Sequence, residues 1–122
     1  MSLTIAIVDD SRTMLDMVGY TLREAGYDVV EAEDGQKALD VLAANDANVV
    51  ITDLNMPNMD GLELIRALRA QDKYRTTPIL MLTTEADREK KEAGRAAGAT
   101  GWIVKPFNPE KLLAVVKKVS GF

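Results

Sequence analysis

The sequence predicts an α/β fold in which helices cover both sides of an open parallel sheet. Short apolar runs alternate along the 122 residues with longer segments whose apolar residues recur at helical spacing. Runs such as 49–51 are apolar throughout, as in strands that are buried on both faces. We therefore predict a doubly wound, five-stranded parallel sheet with five helices, joined by right-handed crossovers.

The predicted strands are short and bounded by turn-forming or polar residues. In chain order they are 3–8, 27–32, 49–53, 78–82 and 101–104. The third strand ends at Asp53, and Pro57 prevents the chain beyond it from continuing as a regular strand or helix. Asp53 is therefore expected at the carboxyl end of a buried strand, the edge at which open α/β sheets bind ligands.

Several predicted helices begin at residues that cap helix ends. In chain order the predicted helices cover 11–25, 34–45, 60–68, 85–97 and 108–119. Ser11 caps the first helix, and Gly26 ends it. Asp60 and Glu63 have the spacing of a capping box before the third helix. Asn108, which precedes a proline, begins the fifth helix.

The fourth helix has the weakest sequence signal. Its apolar face consists mostly of alanine, and Gly94 lies in its middle, where glycine costs about 1 kcal/mol relative to alanine. Gly98 is the expected carboxyl-terminal cap. We expect this helix to be the least firmly held of the five.

The composition excludes several kinds of chemistry. The chain has no cysteine, which excludes disulfides and thiolate sites, and no histidine, which excludes a phosphohistidine donor and histidine-based acid/base catalysis. The net charge of −4 and the lack of a basic patch argue against nucleic-acid binding. Neither a membrane span nor a signal-peptide pattern is found, so we expect a cytoplasmic protein. Residues 1–122 are expected to form one domain without an output domain.

Polar side chains follow four of the five predicted strands. Asp9 and Asp10 follow the first strand, Asp53 ends the third, Thr83 follows the fourth, and Lys105 follows the fifth. Because the carboxyl ends of parallel strands meet at one edge, these side chains are expected to converge there.

Three converging carboxylates repel one another, which either raises their pKa values or requires a cation. Oxygen ligands without histidine or cysteine suit Mg²⁺. Mg²⁺ and Lys105 would balance the charges of Asp9, Asp10 and Asp53, leaving a neutral site that could accept a phosphoryl group. Asp53 could then act as a nucleophile toward phosphorus and form an acyl phosphate.

The pattern resembles the receiver domain of bacterial two-component response regulators. The resemblance extends over about 3–122, and its markers are Val-Asp-Asp-Ser at 8–11, Asp53 followed by Asn-Met-Pro-Asn-Met-Asp-Gly at 55–61, Thr83, and Lys-Pro-Phe at 105–107. It implies a flavodoxin-like sheet with strand order 2-1-3-4-5.

The resemblance also implies roles for the residues at the sheet edge. Asp53 resembles the phosphoacceptor, and Lys105 resembles the partner of the phosphoryl charge. Asp9 and Asp10 resemble the acids that bind Mg²⁺, together with Asp53 and the backbone carbonyl of Asn55.

Further residues resemble the family's switch and tuning positions. Thr83 resembles the switch hydroxyl, and Trp102 stands where the family usually has tyrosine or phenylalanine, an aromatic ring that moves with the switch. Asn55 and Glu85 occupy the two positions that influence acyl phosphate hydrolysis, and this pair suggests a short-lived signal. The resemblance also implies a cis peptide between Lys105 and Pro106.

The resemblance predicts a signalling switch and not a conventional enzyme. A histidine kinase would donate the phosphoryl group, and the output would be binding of another protein by the surface of the fourth helix, fifth strand and fifth helix. Within the family the chain is most similar to single-domain chemotaxis regulators, which implies the flagellar motor switch as a target, a possible phosphatase and a monomeric state. A phosphorelay intermediate or a cell-cycle regulator is the alternative within the class.

Three other classes remain as alternatives. A magnesium-dependent phosphohydrolase with an aspartyl nucleophile would have the motif Asp-X-Asp, in which the second aspartate donates a proton. Here Asn55 occupies the place of that second aspartate. A flavin mononucleotide carrier would need a phosphate-binding loop where Asp9 and Asp10 would repel phosphate. A purely structural module would not need these polar groups, although singly Asp9 and Asp10 could form a turn and Thr83 could cap a helix.

Overall fold

The computed structural model describes residues 3–83, 88–105 and 108–120, and across these ranges it confirms the predicted α/β fold. The described part of the chain forms a five-stranded parallel sheet in the order β2-β1-β3-β4-β5, as expected. Its elements are β1 (Thr4–Val8), α1 (Arg12–Glu24), β2 (Asp28–Ala32), α2 (Gly35–Ala44), β3 (Val49–Asp53), α3 (Gly61–Arg69), a 3-10 turn (Asp72–Tyr74), β4 (Ile79–Thr83), α4 (Arg88–Ala97), β5 (Gly101–Val104) and α5 (Pro109–Ser120).

Two apolar layers cover the opposite faces of the sheet. Alternate residues of each central strand point to opposite sides, so that Val50 belongs to one layer and Ile51 to the other. One layer contains buried residues of α2 and α3, and the other contains buried residues of α1 and α5. All five residues of β3 are buried, as the sequence predicted for a strand covered on both faces.

The predicted helix caps are present in the structure. The backbone N–H of Met14 donates to the Ser11 side chain at 3.2 Å. Asp60 and Glu63 form the predicted capping box. Gly26, with a φ of 97°, lies just beyond the end of α1, where the left-handed conformation favours glycine. These local signals therefore positioned the helix ends correctly.

The third and fifth strands have the predicted bounds, and the other three differ from the predictions by one residue at one or both ends. Thr83 is the last residue of β4 and does not follow it. The predicted start of the fourth helix lies partly outside the described residues, and α4 is described from Arg88. The 3-10 turn was not predicted. Its Tyr74 is buried and donates its hydroxyl to the carbonyl oxygens of Leu42 at 2.6 Å and Asn45 at 2.7 Å.

Gly94 has a packing role that the sequence did not reveal. It is the buried residue of α4, and a Cβ atom there would lie 1.9 Å from Sδ of Met81 on β4. Glycine thus allows α4 to approach the sheet closely, so its presence does more than lower helix propensity. None of the described helices is long and apolar enough to cross a membrane.

Candidate functional site

The three predicted acids meet at the carboxyl edge of the sheet. β1 pairs with β3 so that Val8 lies beside Thr52, and the next residues, Asp9 and Asp53, are therefore neighbours at the carboxyl edge of the sheet. One carboxylate oxygen from each of Asp9, Asp10 and Asp53 lies within 4.8 Å of the other two. Strand register thus brings together acids that are more than 40 residues apart in sequence.

Asp9 is the most buried acid of this cluster, with 3% of its surface exposed. Its Oδ1 atom accepts the backbone N–H of Ser11 at 2.9 Å. Within the described ranges its buried Oδ2 atom has no hydrogen-bond partner. Burial raises the pKa of the Asp9 carboxyl above its usual value, and the negative charges of Asp53 and Asp10 raise it further.

Asp53 is also buried but is held by two donors. Its Oδ1 atom accepts the backbone N–H of Leu54 at 2.9 Å and the ammonium group of Lys105 at 3.0 Å. The backbone N–H of Lys105 in turn donates to the carbonyl oxygen of Thr83 at 2.7 Å. The end of β5 therefore places a cation directly against the Asp53 carboxylate, as predicted.

A close approach of α3 shapes the chain that leaves Asp53. A Cβ atom on Gly61 would lie 2.3 Å from the carbonyl oxygen of Asp53, so only glycine can occupy this position without a shift of the backbone. The N–H of Gly61 donates to the carbonyl oxygen of Leu54 at 3.0 Å. The loop 54–60 is thus closed tightly at its base.

Asp34 and Asn58 hold the same loop against α2, and sequence reasoning missed this contact. Nδ2 of Asn58, whose φ is 67°, donates to Oδ2 of Asp34 at 3.1 Å. Asp34 also caps α2 by accepting the N–H of Lys37 at 2.8 Å. The Lys37 N–H, with help from Asn58, lowers the pKa of the Asp34 carboxyl. The only available signals were the Asp-Gly helix start and an asparagine suited to a left-handed turn.

The other predicted residues lie at the same edge or beside it. Thr83 is buried at the end of β4 and lies beside Val104 in the sheet. Asn55 is exposed, and its Oδ1 atom accepts a hydrogen bond from Nζ of Lys90 at 2.9 Å. Glu85 and Pro106 lie outside the described residues, so their predicted roles have no structural description.

Trp102 is partly buried on β5 beneath two cations of α4. Nζ of Lys91 lies 5.2 Å from its ring centroid, and Cζ of Arg95 lies 5.5 Å from it. Both distances are within the range of cation-π attraction. The side chain therefore connects β5 to α4 in this structure.

The acidic cluster has the chemistry of a site for a hard divalent cation. Three carboxylates supply oxygen ligands, and Asp9 Oδ2 is a buried acceptor for which the described residues provide no donor. One ammonium group, that of Lys105, offsets only part of their charge. The cluster could therefore hold a metal ion such as Mg²⁺.

The comparisons with known proteins identify the family. The model of the response regulator receiver domain matches residues 5–117. A chemotaxis protein CheY homolog of Campylobacter jejuni is 44% identical over 119 residues, which span 96% of this chain and 92% of the relative.

Solved structures agree with this match. The chemotaxis response regulator CheY4 of Vibrio cholerae has a TM-score of 0.93 and 50% identity, covering 98% of this chain and 99% of the other. The receiver domain of the sensor histidine kinase PA1611 from Pseudomonas aeruginosa PAO1, with a magnesium ion coordinated in its active site cleft, has a TM-score of 0.91 and 27% identity, with complete coverage of both chains.

The fold and these matches define a signalling domain and not a conventional enzyme. The chain belongs to the response regulator receiver domain family. Within that family it is similar to chemotaxis proteins of the CheY type. Receiver domains of this type act with histidine kinases and with downstream targets.

Proposed function

We propose that this chain is a switch in chemotaxis signalling that accepts a phosphoryl group on Asp53 from the phosphohistidine of a histidine kinase. The observation that carries the proposal is that the Asp53 carboxylate lies close both to the acids that follow β1 and to the ammonium group of Lys105. One carboxylate is thereby presented at the ligand-binding edge of the sheet, with a counter-charge and a candidate cation site both next to it.

Mg²⁺ is the proposed cofactor. Asp9, Asp10 and Asp53 would bind it through carboxylate oxygens, and Asn55 would contribute its backbone carbonyl. The magnesium ion reported for the receiver domain of PA1611 supports this assignment. When bound, the ion would supply positive charge that offsets both the acids and the incoming phosphoryl group.

The chain's own residues provide the nucleophile and part of the charge neutralisation. An oxygen of Asp53 forms a bond to phosphorus while the phosphorus–nitrogen bond of the donor breaks, and the electron pair stays with the imidazole nitrogen. Lys105, already 3.0 Å from Asp53, pairs with the negative charge that the phosphoryl group adds. Positioning and charge therefore account for most of the proposed catalysis.

The proposed signal passes from the site to the surface formed by α4, β5 and α5. The Thr83 hydroxyl, at the end of β4, would bond the phosphoryl group, and Trp102 would change its packing against α4 in response. Asn55 and Glu85 are proposed to set the rate of hydrolysis. The output would be binding to a protein target such as the flagellar motor switch. We propose that residues 1–122 form one receiver domain, which acts as a cytoplasmic monomer. A phosphatase could remove the phosphoryl group from it.

Mass spectrometry of the protein after treatment with acetyl phosphate tests the proposal. With Mg²⁺ we expect one labile adduct of phosphoryl mass, which is lost when Mg²⁺ is chelated before treatment and absent in Asp53→Asn. Asp40→Asn, at an exposed position on α2, is the matched control and should be modified like the wild type. An unmodified wild type would contradict the proposal, and sustained release of phosphate from many esters would indicate a hydrolase instead.

A further inference from the structure

Lys90 of α4 contacts the loop that leaves the candidate phosphoacceptor. Its Nζ atom donates to Oδ1 of Asn55 at 2.9 Å, across 35 residues of sequence. Asn55 lies only two residues after Asp53. The contact therefore links the first turn of α4 directly to the loop beside the acidic cluster.

The packing of α4 determines where Lys90 lies. Gly94 is four residues after Lys90 and thus on the same helical face, and this face is pressed onto Met81 of β4. The C-terminal end of the helix is held by Arg69, whose Nε atom donates to the carbonyl oxygen of Gly98 at 2.9 Å. With these anchors, the same face that packs on β4 delivers the Lys90 side chain to the carboxyl edge of the sheet.

The neighbouring cations of α4 have a different partner. Lys91 and Arg95, also four residues apart, both lie over the ring of Trp102. Lys90 is partly buried, and its hydrogen bond is to a neutral side-chain amide. This contact fixes which end of the amide faces α4: Oδ1 is bound to the ammonium, and Nδ2 keeps its two N–H donors.

We propose that Lys90 is a positioning residue that holds the Asn55 amide and so slows the loss of the phosphoryl group from Asp53. The inference rests on the proposed function of Asp53. In the hydrolysis step, a water oxygen bonds to phosphorus, the bond between phosphorus and the Asp53 oxygen breaks with its electron pair returning to the carboxylate, and the proton of water leaves to solvent or phosphate. An Oδ1 atom that already accepts from an ammonium is a poorer acceptor for a hydrogen of that water.

The test measures the lifetime of the phosphoryl group in Lys90→Met. The protein is loaded with acetyl phosphate and Mg²⁺, the donor is removed by desalting into the same Mg²⁺ buffer, and the adduct is followed by intact mass. We expect hydrolysis to be about three- to tenfold faster than in the wild type, the effect of one hydrogen bond. Lys90→Arg, which keeps a cationic donor, should restore a rate close to that of the wild type.

Two further variants separate the contact from a general effect of charge. Arg88→Met removes one exposed positive charge two residues earlier on α4, a spacing at which helical side chains do not share a face, and should leave the rate unchanged. In an Asn55→Ala background, Lys90→Met should have no further effect. The same acceleration by Arg88→Met, or an undiminished effect of Lys90→Met without Asn55, would overturn the proposal.

A structural readout accompanies the kinetics. In ¹⁵N-labelled unphosphorylated protein, Lys90→Met should shift the side-chain amide resonances of Asn55, whereas Arg88→Met should not. An adduct on Asp53 whose lifetime is unchanged or longer in Lys90→Met would overturn the role of Lys90 alone. No adduct in the wild type would overturn the proposed function together with this inference.

Discussion

Replacing Asp9 with asparagine should stabilise the metal-free protein, although Asp9 belongs to the candidate site. The Asp9 carboxylate is 3% exposed, one of its oxygens has no partner among the described residues, and it shares the cluster with two other acids. Asparagine keeps an oxygen for the Ser11 N–H and adds a donor that the remaining carboxylates can accept. The substitution therefore removes a buried charge without removing the hydrogen bond.

The magnitude follows from the geometry of the cluster. At 4.8 Å, the upper limit of the distances between these oxygens, two unit charges repel by about 0.9 kcal/mol at a dielectric constant of 80 and by about 3.5 kcal/mol at 20. Asp9 has two such neighbours, and the ammonium of Lys105 offsets part of the repulsion. We expect a gain of about 1–2 kcal/mol in the free energy of unfolding, or about 4–8 °C in Tm for a domain of this size.

Thermal denaturation with and without MgCl₂ measures the effect. At neutral pH in EDTA the variant should melt higher than the wild type, and Asp40→Asn controls for the loss of one exposed negative charge. Adding Mg²⁺ should raise the Tm of the wild type, because an ion at 100 times its Kd adds about 2.7 kcal/mol to the free energy of unfolding. The Tm of the variant should rise much less.

The pH dependence supplies an independent control. Because the folded-state pKa of Asp9 is raised, its ionised form lowers stability above that pKa, and protonation removes the cost as the pH falls through it. The advantage of Asp9→Asn should therefore shrink as the pH is lowered from 7 toward 4. A variant less stable than the wild type in EDTA, or a wild-type Tm that does not respond to Mg²⁺, would refute the electrostatic reasoning.

Three further outcomes are expected. Gly94→Ala should destabilise the protein by about 1–2 kcal/mol in urea denaturation, because the clash with Met81 outweighs the gain in helix propensity; a more stable variant would contradict the packing argument. The pKa of Asp34 is lowered in the folded protein, so its carboxylate stabilises the fold above the unfolded-state pKa, and this stabilisation is lost as the pH falls through the folded-state pKa. Asp34→Asn should therefore lose less stability than the wild type between pH 5 and 3. Equal losses would exclude a stabilising role for the Asp34 carboxylate. Mg²⁺ should change the fluorescence of Trp102, the sole tryptophan, in the wild type but not in Asp10→Asn; an equal response in both would place the cation elsewhere.

Local sequence signals predicted much of the fold because they act over a few residues. The cap at Ser11 and the capping box of Asp60 and Glu63 require only neighbours three residues away, so they could be recognised without the tertiary structure. The same holds for the strand that ends at Asp53, which the apolar run 49–51 predicted. The 3-10 turn was missed because Tyr74 is held by carbonyl groups at the end of α2, about 30 residues earlier.

The acids of the candidate site could be predicted from the sequence, but the contacts that hold the neighbouring loop could not. Strand ends converge in any parallel sheet, so Asp9, Asp53 and Lys105 could be grouped from their order alone. The contact of Asp34 with Asn58 depends on how a loop packs against a helix, and no periodic pattern in the sequence indicates such packing. The catalytic, switch and metal-binding roles remain predictions that the experiments above address.

The sequence by itself determined the alternation of strands and helices, the ends of most helices and the polar residues at each strand terminus. These depend on periodicity and on short-range hydrogen bonds, which neighbouring residues specify. Only the tertiary structure decided that Gly94 leaves space for the Met81 side chain and that Lys90 contacts Asn55. The distance between a helix and a strand results from side chains far apart in the chain that must share the same space, and no local pattern encodes that distance.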